Sequence, residues 1–201
     1  LVETDGPLPI AGAVDATLQI IAGLDAAHQA GVLHRDVKPA NCFVDRSGCV
    51  MIGDFGLSFP TASAADTRLT RSGEIMGTPA FAPPEQLRGE DVDLRSDLYA
   101  VGATLYYLLT GSIPLVASGS MQMVAAVLER IPHSPRKIRP GIPDDLAAAV
   151  LRCLEKDPAQ RFQTYAELAA ALERFSSAVP QAAPPEMRFQ AGTFDWILLW
   201  L

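Results

Sequence analysis

A polar run of eight residues, His34–Asn41 (HRDVKPAN), constrains the fold of this chain more than any other sequence feature. It follows a helical pattern that ends at Gly31 and precedes two β-rich runs, Cys42–Val44 and Cys49–Ile52, which predict a hairpin. Asp54 stands just beyond the second run, 13 residues after the end of the polar run. The fold must therefore hold a polar loop and an aspartate beside one small hairpin, where a rigid base can present their side chains.

The rest of the sequence predicts a mainly helical chain. Apolar residues recur at helical spacing between Val14 and Leu24, whereas 58–90 shows little periodicity and many Thr, Ser, Gly and Pro residues. Loops of that length inside a compact domain are uncommon and are usually functional or disordered. We predict one domain over residues 1–176, then a linker and apolar tail over 177–201. Further helices are predicted at Ser96–Thr110, Met121–Ile131, Asp144–Leu154 and Thr164–Phe175.

The residues of the polar run suit phosphoryl transfer, which needs positioning and charge neutralisation more than covalent chemistry. Mg²⁺ prefers hard oxygen ligands, and Asn41 and Asp54 supply an amide oxygen and a carboxylate. Asp36, a second carboxylate, can orient a hydroxyl group and accept its proton. Lys38 follows two residues later and can offset charge on the transferred phosphoryl group.

Composition argues against several other classes of protein. Acidic residues number 23 against 16 basic residues, and a net charge of −7 lacks the basic footprint of a nucleic-acid binder. Three cysteines without a Cys-x-x-Cys pair argue against a disulfide framework or a zinc site and favour a reducing, cytoplasmic compartment. No stretch of 18 apolar residues occurs, so the sequence predicts no complete transmembrane helix.

The run HRDVKPAN, followed by DFG at 54–56, resembles the catalytic signature of the protein kinase superfamily. The Lys-Pro-Ala-Asn form is most similar to the bacterial Hanks-type serine/threonine kinases. The resemblance implies ATP and Mg²⁺ as cofactors, with Asp36 as catalytic base and Lys38 in contact with the γ-phosphate. It also implies that Asn41 and Asp54 hold the metal ion.

Later residues extend the resemblance. The stretch 77–85 (GTPAFAPPE) is similar to the end of a kinase activation segment, although proline replaces the usual alanine of Ala-Pro-Glu. By resemblance, Glu85 forms a structural ion pair with Arg161, while Asp97 and His34 brace the polar run. The resemblance also implies regulatory residues. Arg35 would pair with a phosphorylated activation segment, in which Thr67, Thr70 and Ser72 are the candidate phosphosites. Thr78, together with Lys38, favours serine and threonine substrates over tyrosine.

Two parts of a complete kinase domain do not occur in the sequence. No two glycines are spaced Gly-x-Gly, and no lysine precedes Lys38. We therefore expect only the mainly helical C-lobe of the kinase fold, a helix bundle with a small β-hairpin at the catalytic face, without the N-lobe. The chain starts at Leu1 rather than methionine, as a fragment would. The parent protein is expected to be an active kinase, and the isolated chain to be inactive until the upstream segment is restored.

Other interpretations stay open at this point. A pseudokinase or scaffold lobe would only bind protein partners, and a small-molecule phosphotransferase would not need the stretch 77–85. The resemblance further implies protein substrates, a homodimer for autophosphorylation in trans, and membrane attachment beyond the C-terminus. Three smaller features each have two interpretations. Cys42 is either a redox-active thiol or a small strand residue, and Trp196 and Trp200 either begin a membrane segment or belong to an apolar tail. A basic cluster forms either a docking patch or a solvated loop; its members are Arg130, His133, Arg136, Lys137 and Arg139.

Overall fold

The computed structural model describes residues 6–55 and 79–177. Within these ranges the chain is mostly helical and contains one two-stranded antiparallel sheet, which confirms the predicted mainly-α class. The elements are α1 (Ile10–Gln29), β1 (Cys42–Val44), β2 (Val50–Ile52), α2 (Pro84–Arg88), α3 (Leu94–Thr110), α4 (Ser120–Glu129), α5 (Asp144–Cys153) and α6 (Tyr165–Leu172). Single-turn 3₁₀ helices lie at Pro39–Asn41, Pro79–Phe81, Pro135–Lys137, Pro158–Gln160 and Glu173–Phe175.

Helix α1 leads into the polar run. Its last turn is followed by Gly31, whose φ of +78° is a left-handed conformation that glycine adopts without strain. Its buried face, which includes Val14, Ile21 and Leu24, packs on α3, α6 and β2. With 20 residues and a mean hydropathy of 1.3, α1 is long and apolar enough to cross a membrane. The sequence did not predict this, because no continuous stretch of 18 apolar residues occurs. The packing of its apolar residues inside the fold accounts for that composition.

Helix α3 is the centre of the core. Every residue from Ser96 to Thr110 except Tyr107 is buried, and α1, α5 and α6 pack around it. The carboxylate of Asp93 caps its first turn by accepting the backbone N–H of Arg95 over 2.8 Å. This helix gives the rest of the fold a rigid base.

The predicted hairpin is confirmed, with the register Cys42↔Ile52, Phe43↔Met51 and Val44↔Val50. The Asp45 carboxylate holds its turn by accepting the backbone N–H groups of Ser47 and Cys49 over 2.8 and 2.9 Å. Pairing continues past the strands, because the N–H of Gly53 donates to the main-chain oxygen of Asn41 over 2.9 Å. The hairpin therefore places the end of the polar run next to the residue before Asp54.

The prediction of a loop without helices over 58–90 is wrong at the end of that range. A 3₁₀ turn lies there at Pro79–Phe81, followed by the short helix α2. Proline suits the first turn of α2, and Gly89, with φ of +73°, ends it. Five residues are too few to show helical periodicity. The candidate phosphosites Thr67, Thr70 and Ser72 lie outside the described residues, as do Thr78, which was linked to substrate preference, and the tryptophans Trp196 and Trp200.

Candidate active site

The carboxylate of Asp36 collects the polar run into one cluster. Lys38 Nζ donates to Asp36 Oδ2 over 2.6 Å, and Asn41 Nδ2 donates to the same oxygen over 3.0 Å. The side chains of Asp36 and Lys38 are 26% and 18% exposed, so the pair is partly desolvated and still open to a substrate. Both donors use Oδ2, and no residue in the described ranges donates to Oδ1 of Asp36.

The side-chain amide of Asn41 has a fixed orientation. Besides Oδ2, its Nδ2 donates to the main-chain oxygen of Asp36 over 2.8 Å, and the residue is buried. Both acceptors require the nitrogen to face Asp36, which assigns the amide and turns Oδ1 away from that carboxylate. The oxygen of Asn41 is therefore the atom available as a ligand.

Asp54 directly follows Gly53, whose N–H pairs with the main-chain oxygen of Asn41 at the end of the hairpin. Asp54 is exposed and has φ of +61°, an uncommon conformation for a residue other than glycine. The described residues contain no group of three His, Cys, Asp or Glu side chains that could hold a metal. An amide oxygen and an exposed carboxylate are nevertheless the ligand types that Mg²⁺ takes when phosphates and water complete its shell. The residues present therefore fit a magnesium ion bound together with a phosphate ligand.

The backbone of the polar run rests on the buried carboxylate of Asp97, at the start of α3. It accepts the N–H of His34 over 3.0 Å and that of Arg35 over 2.8 Å. The hydroxyl of Tyr165 donates to it over 3.2 Å. Burial raises the pKa of Asp97, and these hydrogen bonds offset part of that rise because they favour the carboxylate form. Arg35 itself has φ of +66°, so Asp97 holds the loop in a strained conformation next to Asp36.

His34 connects the polar run to the hairpin. Its Nδ1 accepts the backbone N–H of Asp36 over 3.3 Å, which places the ring proton on Nε2. Nε2 then donates to the main-chain oxygen of Gly53 over 3.0 Å. The ring is fully buried and its centre lies 4.5 Å from that of Phe55. Since both ring nitrogens bond to backbone, the geometry fits a bracing residue better than an acid–base group.

Glu85 and Arg161 form a buried ion pair away from the Asp36 cluster. Two guanidinium nitrogens donate to the two carboxylate oxygens over 2.7 and 2.8 Å, and the Ser96 hydroxyl donates to Glu85 over 2.7 Å. Burial opposes ionisation of Glu85 and would raise its pKa. Arg161, through its hydrogen bonds and its charge, and the hydrogen bond from Ser96 outweigh burial and hold the pKa below the usual value. The pair ties α2 to α3 and to the loop after α5.

The hairpin beside the Asp36 cluster has an exposed apolar face, which the sequence did not predict. Phe43 and Met51 are 53% and 44% exposed and are cross-strand partners, so they lie on one face of the hairpin. The ring of Phe43 lies so close to Gly53 that a Cβ there would stand 3.0 Å from it. Three-residue strands are too short for alternation to reveal which face is open.

Two further contacts were also missed. Gln86 Nε2 donates to the main-chain oxygen of Arg35 over 3.1 Å, and Tyr165 reaches Asp97 as described above. The only sequence signal for Gln86 is its position directly after Glu85. Nothing in the sequence pairs Tyr165 with a residue 68 positions earlier.

The geometry also bears on the two minor features that fall on described residues. The thiol of Cys42 donates to the main-chain oxygen of Lys38 over 3.3 Å, and burial raises its pKa to about 12, which favours a small strand residue over a redox handle. Arg139 donates to the main-chain oxygens of Leu8 and Leu109, and Arg136 pairs with Asp144. These two members of the basic cluster therefore serve the fold.

Comparison with known proteins adds independent findings. The sequence model of the protein kinase domain family matches residues 1–172. The serine/threonine-protein kinase PknB of Mycobacterium leprae is 39% identical over 184 residues, and PknB of Mycobacterium tuberculosis is 35% identical over the same length. A probable serine/threonine-protein kinase of Streptomyces coelicolor is 35% identical over 179 residues. These matches cover 92%, 92% and 89% of this chain but only 29%, 29% and 26% of the relatives, so the chain spans less than a third of their length.

Proposed function

The chain belongs to the protein kinase domain family, and on that premise we propose that the protein containing it is a serine/threonine protein kinase. It transfers the γ-phosphate of ATP to serine or threonine hydroxyls of protein substrates, with Mg²⁺ as the metal. The observation that carries the proposal is the double donation of Lys38 and Asn41 to one oxygen of Asp36. That arrangement fixes the carboxylate and keeps its other oxygen for a substrate.

Each residue of the cluster has a distinct proposed part. Asp36 Oδ1 receives the hydroxyl hydrogen bond, orients the nucleophile and takes its proton as the new bond forms. Lys38 holds Asp36 and brings a positive charge to the transferred phosphoryl group. Asn41 Oδ1 and Asp54 would hold Mg²⁺, which neutralises charge on the phosphates when bound. The proposed metal ligand Asn41 is thus bound directly to the proposed base, because its amide nitrogen donates to Asp36.

The apolar face of the hairpin supports a nucleotide as the ligand. Phe43, two residues after Asn41, and its cross-strand partner Met51 are exposed, and an adenine ring is a flat apolar group that such a face would cover. We propose that the purine base packs there while its phosphates extend towards Asp54.

The lobe assignment is part of the same proposal. We propose that residues 1–176 form the C-lobe of the kinase fold and that 177–201 form a linker and tail. The mostly helical described part, with one hairpin beside the Asp36 cluster, supports this. Since the sequence holds no Gly-x-Gly loop, this chain by itself should bind ATP weakly and transfer no measurable phosphate.

The proposal also covers the compartment, the assembly and the membrane attachment of the protein. We propose a reducing, cytoplasmic compartment, which the three free cysteines support. Trans-autophosphorylation by a homodimer and membrane attachment beyond residue 201 rest on the resemblance alone.

A binding titration with ATP and Mg²⁺ on the full-length protein tests the proposal against a non-catalytic scaffold, the alternative that the missing Gly-x-Gly pattern leaves open. We expect saturable binding that Asp54→Asn weakens and that Asp91→Asn, an exposed aspartate outside the cluster, leaves unchanged. No binding by the wild type would support the scaffold. Phosphate transfer to small alcohols but not to casein would instead support a small-molecule phosphotransferase.

A further inference from the structure

We propose that Gln86 is a positioning residue for Asp36: its side-chain N–H sets the orientation of the peptide unit that leads into the catalytic aspartate. The proposal rests on the proposed function and names a residue that the kinase signature does not include. Gln86 lies on α2, and Asp36 lies in the loop between α1 and β1.

The peptide unit between Arg35 and Asp36 is held by side chains at both ends. Gln86 Nε2 donates to its carbonyl oxygen over 3.1 Å, and its N–H donates to His34 Nδ1 over 3.3 Å. The preceding N–H, that of Arg35, is bound to Asp97 over 2.8 Å. Because Arg35 has φ of +66°, this conformation is strained and depends on such partners. Of the two side chains described on this peptide unit, His34 belongs to the polar run itself, whereas Gln86 comes from α2.

Within the described residues, the side-chain amide of Gln86 makes a hydrogen bond through its N–H group and none through its oxygen. Its Oε1 is buried and has no hydrogen-bond partner among the described residues, which carries a desolvation cost. A glutamate of the same shape would place a carboxylate against the carbonyl oxygen of Arg35, and leucine would offer no donor. Gln86 is therefore distinguished from both by the one bond that it makes to the catalytic loop.

The position of Gln86 also links Asp36 to the segment before α2. Its neighbour Glu85 is locked to Arg161, so α2 has a fixed base from which Gln86 reaches the loop. Rotation of the Arg35–Asp36 peptide would swing the carboxylate of Asp36, and small misplacements of a catalytic group cost large factors in rate.

Steady-state kinetics of the full-length protein on a protein substrate test this. We expect Gln86→Glu and Gln86→Leu to lower kcat by about tenfold or more with the KM for ATP unchanged. The kcat of Gln86→Glu relative to wild type should rise as the pH falls from about 8 to about 5.5, because protonation of the introduced carboxylate restores an O–H donor. The kcat of Gln86→Leu relative to wild type should not change over the same pH range. Gln160→Glu is the matched control, because this glutamine is exposed and its side chain makes no hydrogen bond within the described residues.

Hydrogen exchange of the Asp36 amide gives a readout that needs no activity. Both Gln86 variants should speed its exchange relative to the wild type and the control, with melting temperatures within a few degrees. Unchanged exchange, or a Gln86→Glu kcat within about twofold of wild type at every pH, would overturn the proposal. If the wild type and Asp36→Asn transfer phosphate equally slowly, the proposed function fails, and the exchange result still decides the role of Gln86.

Discussion

At the residue scale, strain is concentrated where the chemistry is proposed. Arg35 and Asp54 are the non-glycine residues with positive φ in the described ranges, and one precedes Asp36 while the other is a proposed metal ligand. His34 joins them: its Nδ1 holds the peptide after Arg35, and its Nε2 holds the carbonyl before Asp54. A single buried imidazole thus fixes the relative position of the proposed base and ligand, which explains a histidine here without any proton transfer.

Lys156 is a second residue with an unusual environment, and it predicts a pH dependence of stability. Its Nζ is buried without a hydrogen-bond partner in the described part and lies 5.9 Å from the centre of the Tyr99 ring. Burial, followed by the charge of Arg161, lowers its pKa to about 8. The unfolded chain keeps the usual lysine pKa of about 10.4, so between these values it binds more protons than the folded state, and this group's contribution to stability rises with pH.

We expect Lys156→Met to raise the free energy of unfolding near pH 7 by on the order of 1 kcal/mol, since solvent screens part of the burial cost. That gain should shrink as the pH rises to about 9.5. Urea denaturation at both pH values measures it, with the exposed Lys137→Met as control. A gain that is the same at both pH values would show that the charge of Lys156 is not its cause.

At the element scale, α2 depends on one ion pair. Glu85→Gln leaves the guanidinium of Arg161 buried without its counter-charge, so we expect a loss of about 3–5 kcal/mol in the free energy of unfolding. Glu90→Gln removes an exposed partner 3.7 Å from Arg88 and should cost under about 1 kcal/mol. Because the pKa of Glu85 is lowered on folding, its contribution is present above the unfolded value of about 4.3 and is lost as the pH falls below it. Equal losses for the two variants in urea denaturation would contradict this.

The contact between α3 and α5 requires a glycine. A Cβ on Gly102 would stand 2.3 Å from Cβ of Cys153, so Gly102→Ala should lower the melting temperature and cost about 1–3 kcal/mol. Gly12→Ala is the matched helical control, because its nearest neighbour would be 4.0 Å away. That change should stabilise α1 by about 0.5–1 kcal/mol. A neutral Gly102→Ala would mean that the two helices separate more easily than their packing implies.

At the scale of the whole molecule, sequence patterns predicted the long helices and the hairpin but missed the short helix α2 and the long-range contacts of Gln86 and Tyr165. α1 and α3 have enough turns for apolar spacing to be read, whereas α2 has five residues and its helical character depends on Pro84 and the Glu85 ion pair. The cluster of Asp36, Lys38 and Asn41 was predictable because its members lie within six residues. Gln86 and Tyr165 were not, since tertiary packing alone brings them to the polar run.

The central claim is that Asp36 is the catalytic base of a kinase, and the kcat for phosphate transfer from ATP to a protein substrate by the full-length protein tests it most directly. Asp36→Asn keeps the shape and can still accept from Lys38 and Asn41, but it cannot take a proton. We predict a fall in kcat of about 10²- to 10⁴-fold with ATP affinity and melting temperature unchanged, and wild-type kcat for Asp91→Asn. Transfer by Asp36→Asn at the wild-type rate would contradict the account.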